Sequence, residues 1–131
     1  MRVKQVSVFL GNETGRLVNM LTPLALNNIN ILALSVADAA DFGIVRLVVS
    51  DSEGAVKALR TVGFALRVNE VLSYEMPNAP GGLLKSVAEP LAKAGINLEY
   101  CYAFVESETG KARVVLKVND PDGAERVLEK H

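Results

Sequence analysis

Apolar and polar positions alternate near the start of the chain. Val6, Val8 and Leu10 are interleaved with Gln5, Ser7 and Phe9, the period of two that sets one face of a strand on a core, which predicts a strand over about residues 3–10. After a polar loop from Gly11 to Gly15 the period lengthens. Leu17, Met20, Leu21 and Leu24 fall at i, i+3, i+4 and i+7, one apolar helical stripe that ends near Asn27 or Asn28. Pro23 sits about two turns into that helix, where it lacks a ladder amide and crowds the carbonyl four residues back, so a kink is expected. Residues 29–36, rich in branched apolar side chains, predict a second strand, and residues 44–50 a third. Residues 51–54 form a turn with helix-start character. Ala55, Leu59 and Val62 then repeat at helical spacing, Gly63 stops that helix, and residues 64–68 supply a fourth strand. The order is β-α-β-β-α-β.

The same text is then repeated. Residues 15–31 and 82–98 align without a gap and share Gly15 with Gly82, Leu17 with Leu84, Pro23 with Pro90, Leu24 with Leu91, Ala25 with Ala92, Ile29 with Ile96 and Asn30 with Asn97. The second copy predicts a strand at 71–76, a kinked helix at 82–94, strands at 96–105 and 112–118, and a helix at 122–130. A final strand equivalent to 64–68 is missing after His131, which leaves the first strand of this copy with an unpaired edge to be covered. Two domains are expected, 1–69 and 70–131, each near the size at which a core stands alone, so they should pack on one another as a pseudo-dimer.

Composition narrows the function classes. Half of the 131 residues are apolar and 22% are charged, and 14 basic against 15 acidic residues give a formal charge of −1. The basic residues are scattered, so no electrostatic footprint for nucleic acid is present. No apolar run approaches a membrane span, and the alternating start is too short for a signal-peptide core. Cys101, the single cysteine, can form neither an internal disulfide nor a metal site, which fits a cytoplasmic protein, and it reads as a small buried apolar residue. Asp38 with Asp41, and Glu106 with Glu108, read as solvated turns. Tyr100 and Tyr102 share a strand face, where they either line a pocket or pack against a neighbouring unit. His131 is unsuited to catalysis, and no nucleophile is paired with a base.

The junctions of first strand and first helix carry the candidate chemistry. Each is a polar, glycine-containing loop: Asn12, Glu13, Thr14, Gly15, Arg16 and Leu17 in the first copy, and Asn78, Ala79, Pro80, Gly81, Gly82 and Leu83 in the second. Glycine permits a positive φ and a close backbone approach, so the free amides of the helix's first turn can face a carboxylate. An asparagine offers both donor and acceptor to a zwitterion. The bland alternatives are plain turn glycines and asparagines bonding their own backbone.

The pattern N-x-x-G-x-L, then a helix, then I-N-I or I-N-L within a β-α-β-β-α-β unit, resembles the ACT domain, a small amino-acid-sensing regulatory module. Residues A-D-F-G-I-V-R-L-V-V-S-D and I-N-L-E-Y-C-Y-A-F are similar to free-standing tandem ACT proteins. The resemblance implies an α+β fold of two ferredoxin-like units, antiparallel sheets with helices on one face. It implies ligand contacts from Asn12 and Asn30 in copy one and Asn78 and Asn97 in copy two, across an interface between ACT units. The loop motif and the gapless alignment disagree over whether Gly81 or Gly82 matches Gly15, and Thr14 replaces the usual proline present as Pro80. The expected function is a non-catalytic regulator that binds a free amino acid, without cofactor or metal. The alternative is a regulatory subunit of an amino acid biosynthesis enzyme, of the acetolactate synthase type in branched-chain synthesis, acting as an interaction module. Expected partners are an amino acid and either a homodimer mate or a target enzyme. An RNA-recognition domain of the same element order would need stacking aromatics on the third strand, where G-I-V-R-L-V-V has none. A metal-carrying ferredoxin-like domain would need a C-x-x-C loop, which is absent.

Overall fold

The computed structural model describes the chain apart from Asn12, Ala40, Asp41, Ser107, Glu108, Thr109, Lys130 and His131, and apart from the side chains of Asp38, Ala39 and Glu106. The expectations for Asp38, Asp41, Glu106, Glu108 and His131 therefore lie outside the described residues. In chain order the elements are β1 (Arg2–Gly11), α1 (Arg16–Leu26), β2 (Ile31–Ala39), β3 (Phe42–Val49), α2 (Ser52–Thr61) and β4 (Ala65–Pro77). A π-helical turn (Leu84–Ala88) then runs into α3 (Glu89–Lys93), followed by β5 (Leu98–Glu106), β6 (Lys111–Val118) and α4 (Pro121–Leu128). The fold is α+β. Two compact units are present, one of residues 4–70 and one of residues 71–131 together with residues 1–3.

In the first-repeat unit the strands lie in the order β2-β3-β1-β4. β1 and β2 both run antiparallel to β3, with Val6 opposite Leu47, Gly11 opposite Phe42, and Leu34 opposite Leu47. The alternation seen in the sequence becomes burial: Val6, Val8 and Leu10 join Val45, Leu47 and Val49 under Met20 and Leu24 of α1 and Ala55 and Leu59 of α2. Each fully buried Leu or Met of this set contributes about 1.5–3 kcal/mol. Leu17, expected on the same stripe, is instead 36% exposed. α2 starts where the Asp51 carboxylate accepts the Gly54 amide at 3.0 Å, the usual role of an N-cap.

The second-repeat unit repeats this plan. β5-β6-β4 are neighbours in that order, with Leu72 opposite Leu116, Pro77 opposite Lys111 and Leu98 opposite Val118. Leu72, Met76, Val87, Leu91, Val114, Leu116, Ala124 and Leu128 form its core. Asp120 caps α4 by accepting the Gly123 amide at 3.0 Å. The strands expected at 64–68 and 71–76 are not separate, since residues 65–68 and 71–76 both lie in the 13-residue β4. Nor is the edge of the second copy's first strand left open at its start: the Ser73 amide donates to the Met1 carbonyl at 2.8 Å. Arg2 pairs with Asp122 and Glu125 of α4, so residues 1–3 lie with the second-repeat unit along the start of that strand. Cys101 proves exposed, because β5 is an outer strand in the order and its helix-side face is uncovered at that point.

The kinked helix expected in the second copy takes a different form. At the end of each helix the hydrogen bonds match residue for residue: Ile29 donates to Leu24 and Ile96 to Leu91, at 3.0 and 2.9 Å. At the start they match one residue out of step, with Asn19 donating to Gly15 and Lys85 to Gly81, both at 3.0 Å. The second helix therefore holds one residue more between its opening and its core positions. The π turn at Leu84–Ala88 absorbs it, as such bulges do. Pro90, which offers no amide, follows directly at the start of α3.

Two outcomes are expected. Deletion of Lys85 converts the π turn to α-helix and leaves the fold intact, which circular dichroism and the thermal midpoint will report; loss of cooperative unfolding would contradict the inserted-residue account. The Tyr74 hydroxyl donates to Glu129 at 3.4 Å, and burial, followed by the negative charges of Glu129 and Glu125, pushes its pKa up from 10.0 to about 12. The folded state thus favours the neutral phenol. Its stabilising contribution is complete below pH 10 and is lost as pH rises through about 12, and a Tyr74→Phe variant will lack this alkaline loss in denaturation measured across that range.

Candidate functional site

Both β-to-α loops turn on a glycine in the left-handed region. Gly15 has φ 86° and Gly81 has φ 79°, a conformation that costs an L side chain about 1–2 kcal/mol. This resolves the equivalence left open by the sequence: Gly81, not Gly82, matches Gly15. Arg16 donates its amide to the Glu13 carbonyl at 3.3 Å, and Gly82 does the same to Ala79 at 2.9 Å. Glu13 thus corresponds to Ala79, and Arg16 to Gly82. Gly82 serves a different need, because a Cβ there would lie 2.3 Å from the Pro77 carbonyl oxygen. Among the described residues no side chain caps the start of α1. The Asn78 amide donates to the Gly110 carbonyl at 3.1 Å, tying the second loop to the β5–β6 hairpin. Asn12 lies outside the described residues. Glu13, Thr14, Asn78, Ala79, Pro80 and Leu83 are exposed, and Arg16 is half-buried.

Asn30 and Asn97 lie elsewhere in their units. The Asn30 amide donates to the Ser50 hydroxyl at 2.9 Å and the Ser50 amide donates back to the Asn30 carbonyl at 2.9 Å. Asn97 and Asn119 form the matching exchange, at 2.9 and 3.2 Å. These reciprocal bonds hold the backbone while both asparagines stay exposed. In the first unit Gly11 is opposite Phe42, whereas Ile31 is opposite Val49, so the loop and Asn30 lie at opposite ends of the sheet, roughly 20 Å apart at the rise of a strand. Pro77 opposite Lys111 and Leu98 opposite Val118 give the second unit the same separation. Within one unit the loop and the asparagine do not meet.

Ser50 and Asn119 were not singled out by sequence reasoning. A signal was present: each precedes a D-x-x-G run, Asp51 to Gly54 and Asp120 to Gly123, after the third strand of its repeat.

The strand ends beside the two loops differ in chemistry. In the first unit the rings of Phe9 and Phe42 meet at 6.3 Å between centroids, tilted by 59°. In the second, Glu75 and Lys111 hold the corresponding diagonal and form an ion pair at 4.0 Å. Around that pair, Met76, Pro77 and Gly110 complete a depression of ≈ 410 Å³, a size suited to a small ligand. A second hollow of ≈ 430 Å³ separates α1 from α2, with Pro23, Asn27, Lys57 and Thr61 on its walls. Among the described residues no group of three or more His, Cys, Asp or Glu is placed to hold a metal ion, and no helix is long and apolar enough to cross a membrane.

Comparison with known proteins decides the family. The family model described as an ACT domain pair matches residues 1–131. The chain belongs to the ACT domain pair family. A crystal structure of protein BT0572 from Bacteroides thetaiotaomicron is 40% identical, with a TM-score of 0.92 over 99% of this chain and 88% of that one. The ligand-free regulatory subunit of aspartate kinase from Thermus thermophilus shares the fold at 16% identity, with a TM-score of 0.69 over 96% of this chain and 88% of that one. The regulatory subunit of aspartate kinase from Thermus flavus does so at 16% identity, with a TM-score of 0.64 over 97% and 90%. No curated protein matches the chain.

The ACT loops yield a test of their two glycine roles. Gly82→Ala is expected to cost about 1–3 kcal/mol through its clash with the Pro77 carbonyl, and Gly81→Ala about 1–2 kcal/mol through its dihedral. Urea denaturation of the two variants checks both, and an undisturbed midpoint for Gly82→Ala would contradict the close backbone approach.

Proposed function

We propose that this ACT pair is a non-catalytic regulatory protein that binds a free amino acid, with the glycine-turn loop of one ACT unit holding the charged ends and the asparagine that begins the second strand of another unit completing the site. The observation that carries this reading is the start of α1 behind the left-handed Gly15, which no side chain among the described residues caps, since helix-start amides left without such a cap suit a carboxylate. The separation of loop and asparagine within each unit supports a site that draws on two units. A homo-oligomer or a partner enzyme goes with this arrangement, as does a cytoplasmic setting.

The alternative is a subunit that acts mainly by docking on an amino acid biosynthesis enzyme. It is favoured by the likeness to proteins described as regulatory subunits of aspartate kinase. Co-purification from native extract separates a docked subunit from a free sensor.

Isothermal calorimetry and thermal shift against the twenty amino acids test the sensor reading. Binding of at least one ligand is expected at about 4–8 kcal/mol, millimolar to micromolar, with a matching rise in thermal midpoint. If none binds and none stabilises, the reading fails.

A further inference from the structure

The two loops share a backbone and differ in what it presents. At the position where the second repeat has Gly82, beneath the Pro77 carbonyl and with no room for a side chain, the first repeat has Arg16. The guanidinium carbon of Arg16 lies 5.5 Å from the centre of the Phe64 ring, a cation–π contact that restrains the side chain. Its Nε is buried and has no hydrogen-bond partner among the described residues. Buried donors are almost always satisfied, and one left over on a charged group calls for an explanation. Glu13 comes close without supplying it. Its Oε1 and the Arg16 Nε stand 3.4 and 3.7 Å from the point where a Cβ of Gly11 would lie, yet neither side chain bonds the other.

We propose that Arg16 makes the first loop selective for an amino acid with an acidic side chain, and that the second loop lacks this selectivity. The inference rests on the amino-acid-binding reading above. An acidic amino acid presents three charges, and the first loop has three complements for them: the guanidinium of Arg16 for one carboxylate, the uncapped start of α1 for the other, and Glu13 for the ammonium. A neutral amino acid leaves one of the two anion-seeking groups without a partner. In the second repeat Ala79 and Gly82 replace Glu13 and Arg16, and the nearby charges of Glu75 and Lys111 are already paired with each other.

The test is calorimetric titration of the full chain with L-aspartate, L-glutamate, L-asparagine and L-glutamine. For the wild type, one acid should bind at least about tenfold more tightly than its own amide, the scale of one charge-assisted hydrogen bond. Arg16→Gln should bring that ratio to about one with an unchanged circular dichroism spectrum. Arg16→Lys, which keeps the charge and loses the planar fork, should keep part of the selectivity and guards against a folding defect in the first variant. Equal binding of acid and amide by the wild type, or selectivity that survives in Arg16→Gln, overturns the proposal. Binding of neutral amino acids alone overturns it and leaves the sensor reading standing, whereas binding of no amino acid overturns both.

Discussion

A strand that must become a helix within four residues needs one residue able to take a positive φ. Gly15 and Gly81 meet that constraint in the two repeats. The turn they make sets where each helix begins and therefore which side chains reach the core: Met20 and Leu24 in the first unit, Val87 and Leu91 in the second. The same turn leaves the first amides of α1 without a side-chain cap among the described residues. One backbone choice thus places the hydrophobic stripe and creates the feature on which the functional reading rests. A capping Ser or Asp in place of Gly15 would meet those amides internally and remove their use for a ligand.

The π turn shows how the second repeat meets two demands that conflict. The loop hydrogen bonds require Gly81 to correspond to Gly15, and the bonds at the helix end require Leu91 to correspond to Leu24. The intervening sequence is one residue too long for both in a regular helix. Shifting the whole helix by a residue would rotate it by about 100° and turn Val87 and Leu91 out of the core. Widening a single turn keeps both ends in place at the cost of weaker local hydrogen bonding. The gapless alignment of the repeats followed the core end of the helix and the loop motif followed its opening. Each described one end correctly.

Much of the fold was legible because burial follows periodicity. Val6, Val8 and Leu10 showed it, as did the matching Leu24 and Leu91. What escaped the sequence depends on partners distant along the chain. Nothing local to Met1, Arg2 and Val3 says that they stand beside Ser73 and α4. Cys101 has the composition of a core residue and sits on the uncovered face of an outer strand. β4 was divided in two because Asn69 and Glu70 interrupt its apolar run, and strand pairing overrode that local signal. At the candidate site the glycines and asparagines could be named from sequence, whereas the opposite placement of loop and asparagine within a unit follows only from strand register.

The duplicated loops share a backbone and differ in where they carry charge. Where the first unit has the tilted Phe9–Phe42 ring contact, the second has the Glu75–Lys111 ion pair, and where the first loop carries Glu13 and Arg16, the second carries Ala79 and Gly82. Charge sits in the loop of one repeat and on the strands of the other. A fixed guanidinium beside an aromatic surface is an electrostatic feature that a ligand anion can satisfy, while an ion pair 4.0 Å apart must first be separated before either member serves a ligand. Under the proposed amino-acid-binding role, identical loops would respond alike to one metabolite, whereas loops that differ in this way would bind different ligands or the same ligand with different strength, and occupancy of one would alter the affinity of the other only if the chain had two arrangements that the ligands favour unequally.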